Sequence, residues 1–168
     1  MNILENEFAA YGKTLVKIQY FEIILKICIS LFDAEAKARH SSIKNLKIED
    51  VLNLSVSYKQ TLGTLMAAIR KEIPVFDTDE FSKLLVMRNT FVHNFHKEYI
   101  SRGVDEKERM AFIEELFELI TRYTEIFTGL FVHLARHIAK EKNGTLNLAG
   151  LEVSEDELLK HIVKSISP

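Results

Sequence analysis

The sequence predicts an all-α protein, built as an antiparallel four-helix bundle with short additional helices. Two observations indicate this fold class. The 168 residues include six glycines and two prolines, which is too few turn and breaker residues for a many-stranded sandwich or barrel. Apolar residues also recur at intervals of three and four over long stretches, which is the spacing of an amphipathic helix.

The first two helices are expected before Pro74. The first is predicted over residues 4–37, with Gly12 as a weak point near its start. The second is predicted over residues 48–70, because acidic residues at its beginning suit a first helical turn and Pro74 marks its end. The connector between them is polar.

Two further long helices and a short final one follow. Thr78 is a suitable N-cap for the third helix, and Gly103 suits its C-terminus. The fourth is predicted over residues 105–142, and Ser154 is expected to cap a short last helix. We therefore expect a helical domain over residues 1–142 and a C-terminal extension over 143–168. A short hairpin in residues 145–153 is an alternative for part of that extension.

Composition and charge exclude several classes of protein. The formal net charge of −2 argues against a protein that coats nucleic acid through overall positive charge, although a local basic site is compatible with it. Cys28 stands alone in an apolar stretch and is expected in the core. The first residues lack the basic start of a secretory signal, and the apolar run at residues 23–32 is too short for a bilayer. These features predict a cytoplasmic protein without a membrane segment.

The most informative residue is Arg88 on the third helix. At 100° per residue, the apolar residues three, four or seven positions away surround Arg88 on one face; these are Leu84, Leu85, Phe91, Val92 and Phe95. Burying a guanidinium costs several kcal/mol unless it is paired. One explanation is an internal ion pair with Glu114 or Glu118 of the fourth helix. The other is a cleft in which Arg88 faces an anion.

The residues beside Arg88 favour the second explanation. Asn89 and His93 are four apart and lie on one flank of the apolar face. The planar guanidinium of arginine presents paired N–H donors that match the oxygens of a phosphate. Histidine side chains exchange protons near neutral pH. Together these residue types suit cleavage of a phosphodiester without a metal ion or other cofactor. His96 and Lys97 are candidate auxiliary residues, although His96 is equally well explained as a bystander at the cleft.

The segment from Arg88 to His93 resembles the R-x4–6-H signature of HEPN domains, with a polar residue just after the arginine. The resemblance covers roughly residues 1–140 and implies a helical bundle. It also implies a metal-independent ribonuclease, acting as a homodimer in toxin–antitoxin or antiphage defence, with catalytic Arg88 and His93 and a supporting Asn89. The partners implied are RNA, a second copy and an antitoxin or another defence protein. In HEPN toxins paired with a nucleotidyltransferase a tyrosine often stands where this chain has Phe95, so that particular partner is not expected.

Two other interpretations are open. HEPN-like domains that bind a nucleotide, RNA or protein without catalysis have the same sequence pattern, so the chain is alternatively a catalytically silent module. His133 and His137 have the four-residue spacing of helical metal pairs, but two ligands do not make a site. We therefore predict no metal ion there and interpret both as solvated or interface histidines near a helix end.

Overall fold

The computed structural model describes residues 3–40, 62–141 and 152–166, and within these ranges the chain is helical without a β-strand. The α-helices are α1 (Ile3–His40), α2 (Leu62–Glu72), α3 (Asp79–Asn89), α4 (Glu106–Glu141) and α5 (Glu152–Ile166). A 3-10 turn covers Pro74–Phe76, and α3 continues into the π-helical turns Thr90–Asn94 and His96–Ile100. We call residues 90–100 the π segment. The all-α prediction is confirmed; the four-helix arrangement stays a prediction.

The predicted boundaries of the first two helices can be compared where the chain is described. α1 begins one residue before the predicted start and extends three residues beyond the predicted end, and Gly12 does not interrupt it. Residues 48–61 of the predicted second helix lie outside the described residues. Its C-terminal part is α2, which ends at Glu72, and Pro74 opens the 3-10 turn that follows.

The capping residues of α3 and α4 account for their positions. Thr78 has extended backbone angles, and its Oγ1 accepts a hydrogen bond of 3.2 Å from the N–H of Phe81, as predicted for an N-cap. Gly103 has a φ of +68°, the left-handed conformation in which glycine ends a helix without a steric penalty. Asp105 Oδ1 accepts from the N–H of Glu108 at 2.9 Å, which fixes the first turn of α4.

The start of the last helix differs from the prediction. α5 begins at Glu152, so Ser154 lies inside its first turn and is not the N-cap. A serine three residues before a glutamate is the pattern of a capping box, but the same pattern is compatible with a helix interior, and it does not place the start by itself. Residues 152 and 153 of the suggested hairpin are helical. Residues 145–151 and the predicted domain boundary at 142 lie outside the described residues.

The chain forms two compact units. The first comprises residues 1–21 and 77–123, and it contains α3 and the π segment. The second comprises residues 22–76 and 124–168, and it contains α2 and α5. α1 and α4 each contribute residues to both units, because each helix passes through a unit boundary.

The core of the first unit is built from side chains of α1, α3, the π segment and α4. Its most buried members, each no more than 1% exposed, include Ile18, Phe81, Leu84, Phe91, Leu116 and Tyr123. Each such side chain contributes about 1.5–3 kcal/mol through removal from water. The hydroxyl of Tyr123 donates to Glu80 Oε2 at 3.2 Å, so the buried ring keeps a polar partner. Burial of this phenol is the main cause that raises the pKa of Tyr123 to about 12.

The apolar run at residues 23–32 lies in α1 in the second unit, and most of its described side chains are buried, although Ile23 is 50% exposed. Leu25 and Cys28 are fully buried, and Ile24, Ile27 and Leu31 are nearly so. The Cys28 thiol donates to the carbonyl oxygen of Phe127 at 3.4 Å. Among the helices of the described ranges, none has the length and apolar character required to cross a bilayer.

Gly12 and Gly103 make a matched pair for a test of backbone conformation. A Cβ atom added at Gly12 would meet nothing within 4 Å, and the residue lies in a helix, where glycine is costly. We expect Gly12→Ala to raise the free energy of unfolding by about 0.5–1 kcal/mol. Gly103→Ala is expected to lower it by about 1–2 kcal/mol, because the alanine must adopt a positive φ.

Urea denaturation monitored by circular dichroism measures both changes. Equal effects of the two substitutions would contradict this assignment of backbone conformations.

Candidate active site

The spacing between Arg88 and His93 depends on a change of helix type. On an α-helix, five residues turn through about 500°, which leaves the two side chains about 140° apart. From Thr90 onward the helix has the i→i+5 bonding of a π turn, which brings residues five apart to the same side. The Nη1 atom of Arg88 is 3.4 Å from Nε2 of His93. Two residues that would diverge on a regular α-helix are therefore in hydrogen-bonding range.

Asn89 completes this group. Its Oδ1 accepts a hydrogen bond of 3.2 Å from the same Nη1 of Arg88. Because an arginine side chain has donors only, a hydrogen bond between these two atoms has Nη1 of Arg88 as the donor and Nε2 of His93 as the acceptor. Asn89 and His93 are exposed and Arg88 is half-buried, so the group is accessible from solvent.

The position of Arg88 on the helix differs from the prediction. The prediction placed it in the middle of an apolar stripe, whereas the structure places it at the edge. Leu84, Phe91 and Phe95 are buried, but Leu85 and Val92 are only half-buried, as is Arg88 itself. Arg88 precedes the π turns, and the buried residues of α3 are Phe81, Leu84 and Met87, so the buried face of α3 is centred nearer to Leu84 and Met87 than to Arg88. The Nη1 atom of Arg88 reaches Asn89 and His93, whereas its Nε atom is buried.

Glu114 and Glu118, the internal ion-pair partners suggested for Arg88, line a surface pocket between α1 and α4. Glu114 and Glu118 of α4 are both exposed. They line a surface pocket of about 280 Å³ together with residues of α1 that include Asn6 and Lys13. The hydrogen bonds of Arg88 to Asn89 and His93 are thus made on a different part of the first unit.

The two candidate auxiliary residues differ in their contacts. The His96 Nδ1 atom is 3.2 Å from the hydroxyl of Ser101, one π turn further on. Lys97 is exposed. Within the described part of the chain, neither side chain hydrogen-bonds to Arg88 or His93. Their place beside the site follows from helix position, since His96 is three residues after His93.

The positive charge around the site is smaller than the sequence suggests. Residues 83–102 contain four lysines and arginines and one glutamate. Lys83 forms an exposed ion pair with Glu115, and Arg102 pairs with Glu98 at 2.7 Å. Arg88 and Lys97 are therefore the cations of this segment most relevant to an incoming anion.

An ion pair that the sequence analysis missed supports the same region. Arg109 donates to Glu7 with two hydrogen bonds of 2.7 Å, from Nε to Oε1 and from Nη2 to Oε2. Its Nη1 also donates to the carbonyl oxygen of Val104 at 2.5 Å. The side chains are 17% and 11% exposed for Arg109 and Glu7. The hydrogen bond from Arg109 is the main cause that lowers the pKa of Glu7 below its ordinary value of 4.5.

Aromatic contacts hold the π segment against α1. The ring of Tyr11 stacks on Phe91 with centroids 4.2 Å apart, and it meets the edge of Phe95 at 5.5 Å. The hydroxyl of Tyr11 donates to the carbonyl oxygen of Phe91 at 3.2 Å. On the other side, Tyr99 stacks on Phe95 and contacts Phe112 of α4. The backbone that positions His93 is thus fixed from two helices.

The second histidine pair lies on another part of the chain. His133 and His137 are both exposed on α4 and belong to the second unit. No group of three or more His, Cys, Asp or Glu side chains suited to a metal ion occurs in residues 3–40, 62–141 and 152–166.

Searches for related proteins find no match to this chain among family models, curated proteins or solved structures. The resemblance to HEPN domains thus depends on the residues from Arg88 to His93 and their helical context.

The Glu7–Arg109 pair predicts a specific dependence of stability on pH. The folded-state pKa of Glu7 is lowered, so its stabilising contribution is fully present above the ordinary value of 4.5 and is lost as the pH falls toward the folded-state value. At pH 7 we expect Glu7→Gln to lower the free energy of unfolding, since it leaves the partly buried guanidinium of Arg109 without its counter-charge. Below pH 4.5 the difference from wild type is expected to shrink.

Glu115→Gln is the matched control. It breaks an ion pair whose side chains are 52% and 50% exposed, and about 0–1 kcal/mol is expected for it. Urea denaturation at a series of pH values from 3 to 7 provides the measurement. A constant difference between wild type and Glu7→Gln over that range would contradict the role given to Glu7.

Proposed function

We propose that this protein is a metal-independent endoribonuclease of the HEPN type, with Arg88 and His93 as its catalytic residues and Asn89 in support. The observation that carries the proposal is the 3.4 Å distance between Arg88 Nη1 and His93 Nε2 on an exposed helix surface. A guanidinium beside an imidazole combines a donor for phosphate oxygens with a group that accepts a proton.

The chemistry follows from these atoms. When a phosphate binds, Arg88 turns its Nη1 from Nε2 of His93 to the phosphate oxygens. Nε2 then accepts the proton of a ribose 2′-hydroxyl, and the 2′ oxygen attacks the adjacent phosphorus. The bond from phosphorus to the 5′ oxygen breaks, and that oxygen takes up a proton from water or from a second histidine. The products are a 2′,3′-cyclic phosphate and a 5′-hydroxyl. Arg88 stabilises the negative charge that develops on the phosphate oxygens in the transition state. Asn89 holds the guanidinium through its Oδ1.

The exposure of the site supports a homodimer. Val86, Asn89 and His93 follow one another at spacings of three and four, and all three are exposed. An isolated exposed pair has no walls to hold a substrate or to exclude water. A second copy packed on this face would supply the other wall, and its own His93 could protonate the leaving 5′ oxygen. Val86, which is 65% exposed, is an apolar residue available for that contact.

A role in toxin–antitoxin or antiphage defence, in the cytoplasm, follows from the same family resemblance. An antitoxin or another defence protein would then cover the site until cleavage is required. Phe95 is buried and carries no hydroxyl, so modification of this position by a nucleotidyltransferase is not part of the proposal.

The test compares wild type with His93→Ala and Arg88→Ala. Protein purified with EDTA is incubated with transfer RNA or total RNA, and the products are resolved by gel electrophoresis. We expect His93→Ala to reduce the rate of cleavage by about 10²- to 10⁴-fold, because it removes the proton acceptor. Arg88→Ala is expected to reduce it by about 10²-fold or more, because it removes a donor to the transition state.

Asn94→Ala is the matched control, because Asn94 is exposed in the same π turn and, in the described ranges, is not one of the hydrogen-bond partners of Arg88 and His93. Its rate should equal that of wild type, and circular dichroism checks the fold of each variant. Equal cleavage by wild type and both site variants would remove the enzyme assignment. Binding of RNA by wild type without any cleavage would favour the catalytically silent module.

A further inference from the structure

The first unit contains a pocket of about 410 Å³ between α1, the π segment and α4. This volume lies within the range of about 300–1,000 Å³ that is typical of small-molecule sites. Apolar side chains form most of its wall: Phe8, Tyr11, Phe95 and Ile100. Phe8 is 72% exposed, an unusual degree of exposure for a phenylalanine, so this part of the wall is open to solvent.

The charged residues of the pocket neutralise each other. Glu7 and Arg109 both line it, and they are the two members of the buried ion pair. Their mutual hydrogen bonds also set the position of the aromatic wall, since Phe8 and Tyr11 follow Glu7 by one and four residues on α1. The pocket therefore offers flat apolar surfaces and little net charge. An uncharged planar group suits it better than a phosphate does.

The pocket and the candidate active site share the π segment. His96 lines the pocket and follows His93 by three residues along that segment. Arg88 and His93 present groups suited to a phosphate, whereas the pocket presents groups suited to a ring. A nucleotide has both parts, joined through one sugar.

We propose that this pocket binds one unpaired nucleobase of single-stranded RNA, with the base stacked on Phe8 and the adjoining phosphate at Arg88. The proposal rests on the function proposed above and names the part of the substrate that the site recognises. Proteins that hold single strands stack successive bases on aromatic side chains and follow the backbone with cations. The aromatic wall and the neighbouring Arg88 reproduce these two elements.

The test measures binding separately from cleavage. The probe is a fluorescent tetranucleotide with 2′-deoxyribose sugars, which lacks the 2′-hydroxyl required for the proposed reaction. A second probe of the same length and charge has abasic sugars. Affinities of both are measured by fluorescence anisotropy for wild type, Phe8→Ala and Val16→Ala. Val16 is the matched control, because it is 65% exposed on the same helix and does not line the pocket.

We expect Phe8→Ala to weaken binding of the tetranucleotide by about 5- to 100-fold, the effect of losing one stacked base. Val16→Ala should bind as wild type does, and the abasic probe should bind all three proteins equally weakly. Equal affinity of Phe8→Ala and Val16→Ala for the tetranucleotide would overturn the proposal. So would a loss that is the same for the base-bearing and abasic probes.

Two outcomes separate this proposal from the proposed function. If base-dependent binding requires Phe8 but the protein cleaves no RNA, the base-binding pocket is supported and the ribonuclease assignment is overturned. If cleavage requires His93 but Phe8→Ala leaves tetranucleotide binding unchanged, the ribonuclease assignment is supported and the base-binding pocket is overturned. If Phe8→Ala changes the oligomeric state in size-exclusion chromatography but not the base-dependent affinity, the pocket is a contact between copies and the proposal is overturned.

Discussion

The candidate site depends on the change from α- to π-helical bonding after Asn89. A regular α-helix would separate the directions of Arg88 and His93 by about 140°. The wider turn brings the two side chains together on one surface. Such turns are uncommon in proteins and recur at functional sites, because a helix gains little else from the poorer bonding. The local geometry thus has a cost in stability, which packing must offset.

That offset comes from two kinds of contact in the first unit. The ring of Tyr11 stacks on Phe91, and its hydroxyl donates to the carbonyl oxygen of Phe91. α1 therefore stabilises the π segment both by burying aromatic surface and by a hydrogen bond. The Glu7–Arg109 pair joins the start of α1 to the start of α4 through two parallel hydrogen bonds. An arginine fork matched to a carboxylate fixes orientation as well as distance. Tyr11 and the Glu7–Arg109 pair also line the aromatic pocket. The contacts that stabilise the backbone around His93 therefore also stabilise the wall of the pocket.

The fold class and many helix ends could be predicted because they follow from local chemistry. Thr78, Pro74 and Gly103 each act through their own backbone or side chain, within a few residues. The exposed grouping of Asn89 and His93 was also predictable from spacing. The edge position of Arg88 was not, because the predicted apolar face was centred on Arg88 and left out Met87, which is buried and shifts the core face of α3 away from Arg88. The Glu7–Arg109 pair joins residues 102 apart, and no local pattern indicates such a contact.

Cys28 has a practical consequence for the study of this chain. It is the sequence's single cysteine, it is fully buried, and burial raises the pKa of its thiol well above the usual range. The thiolate is the form that reacts with alkylating reagents and disulfides, so the Cys28 thiol is expected to be unreactive in the folded state. A cysteine introduced on an exposed helix face would therefore be modified selectively. Spectroscopic labels and cross-linkers could report on the faces of α1 and α3 without first removing the native residue.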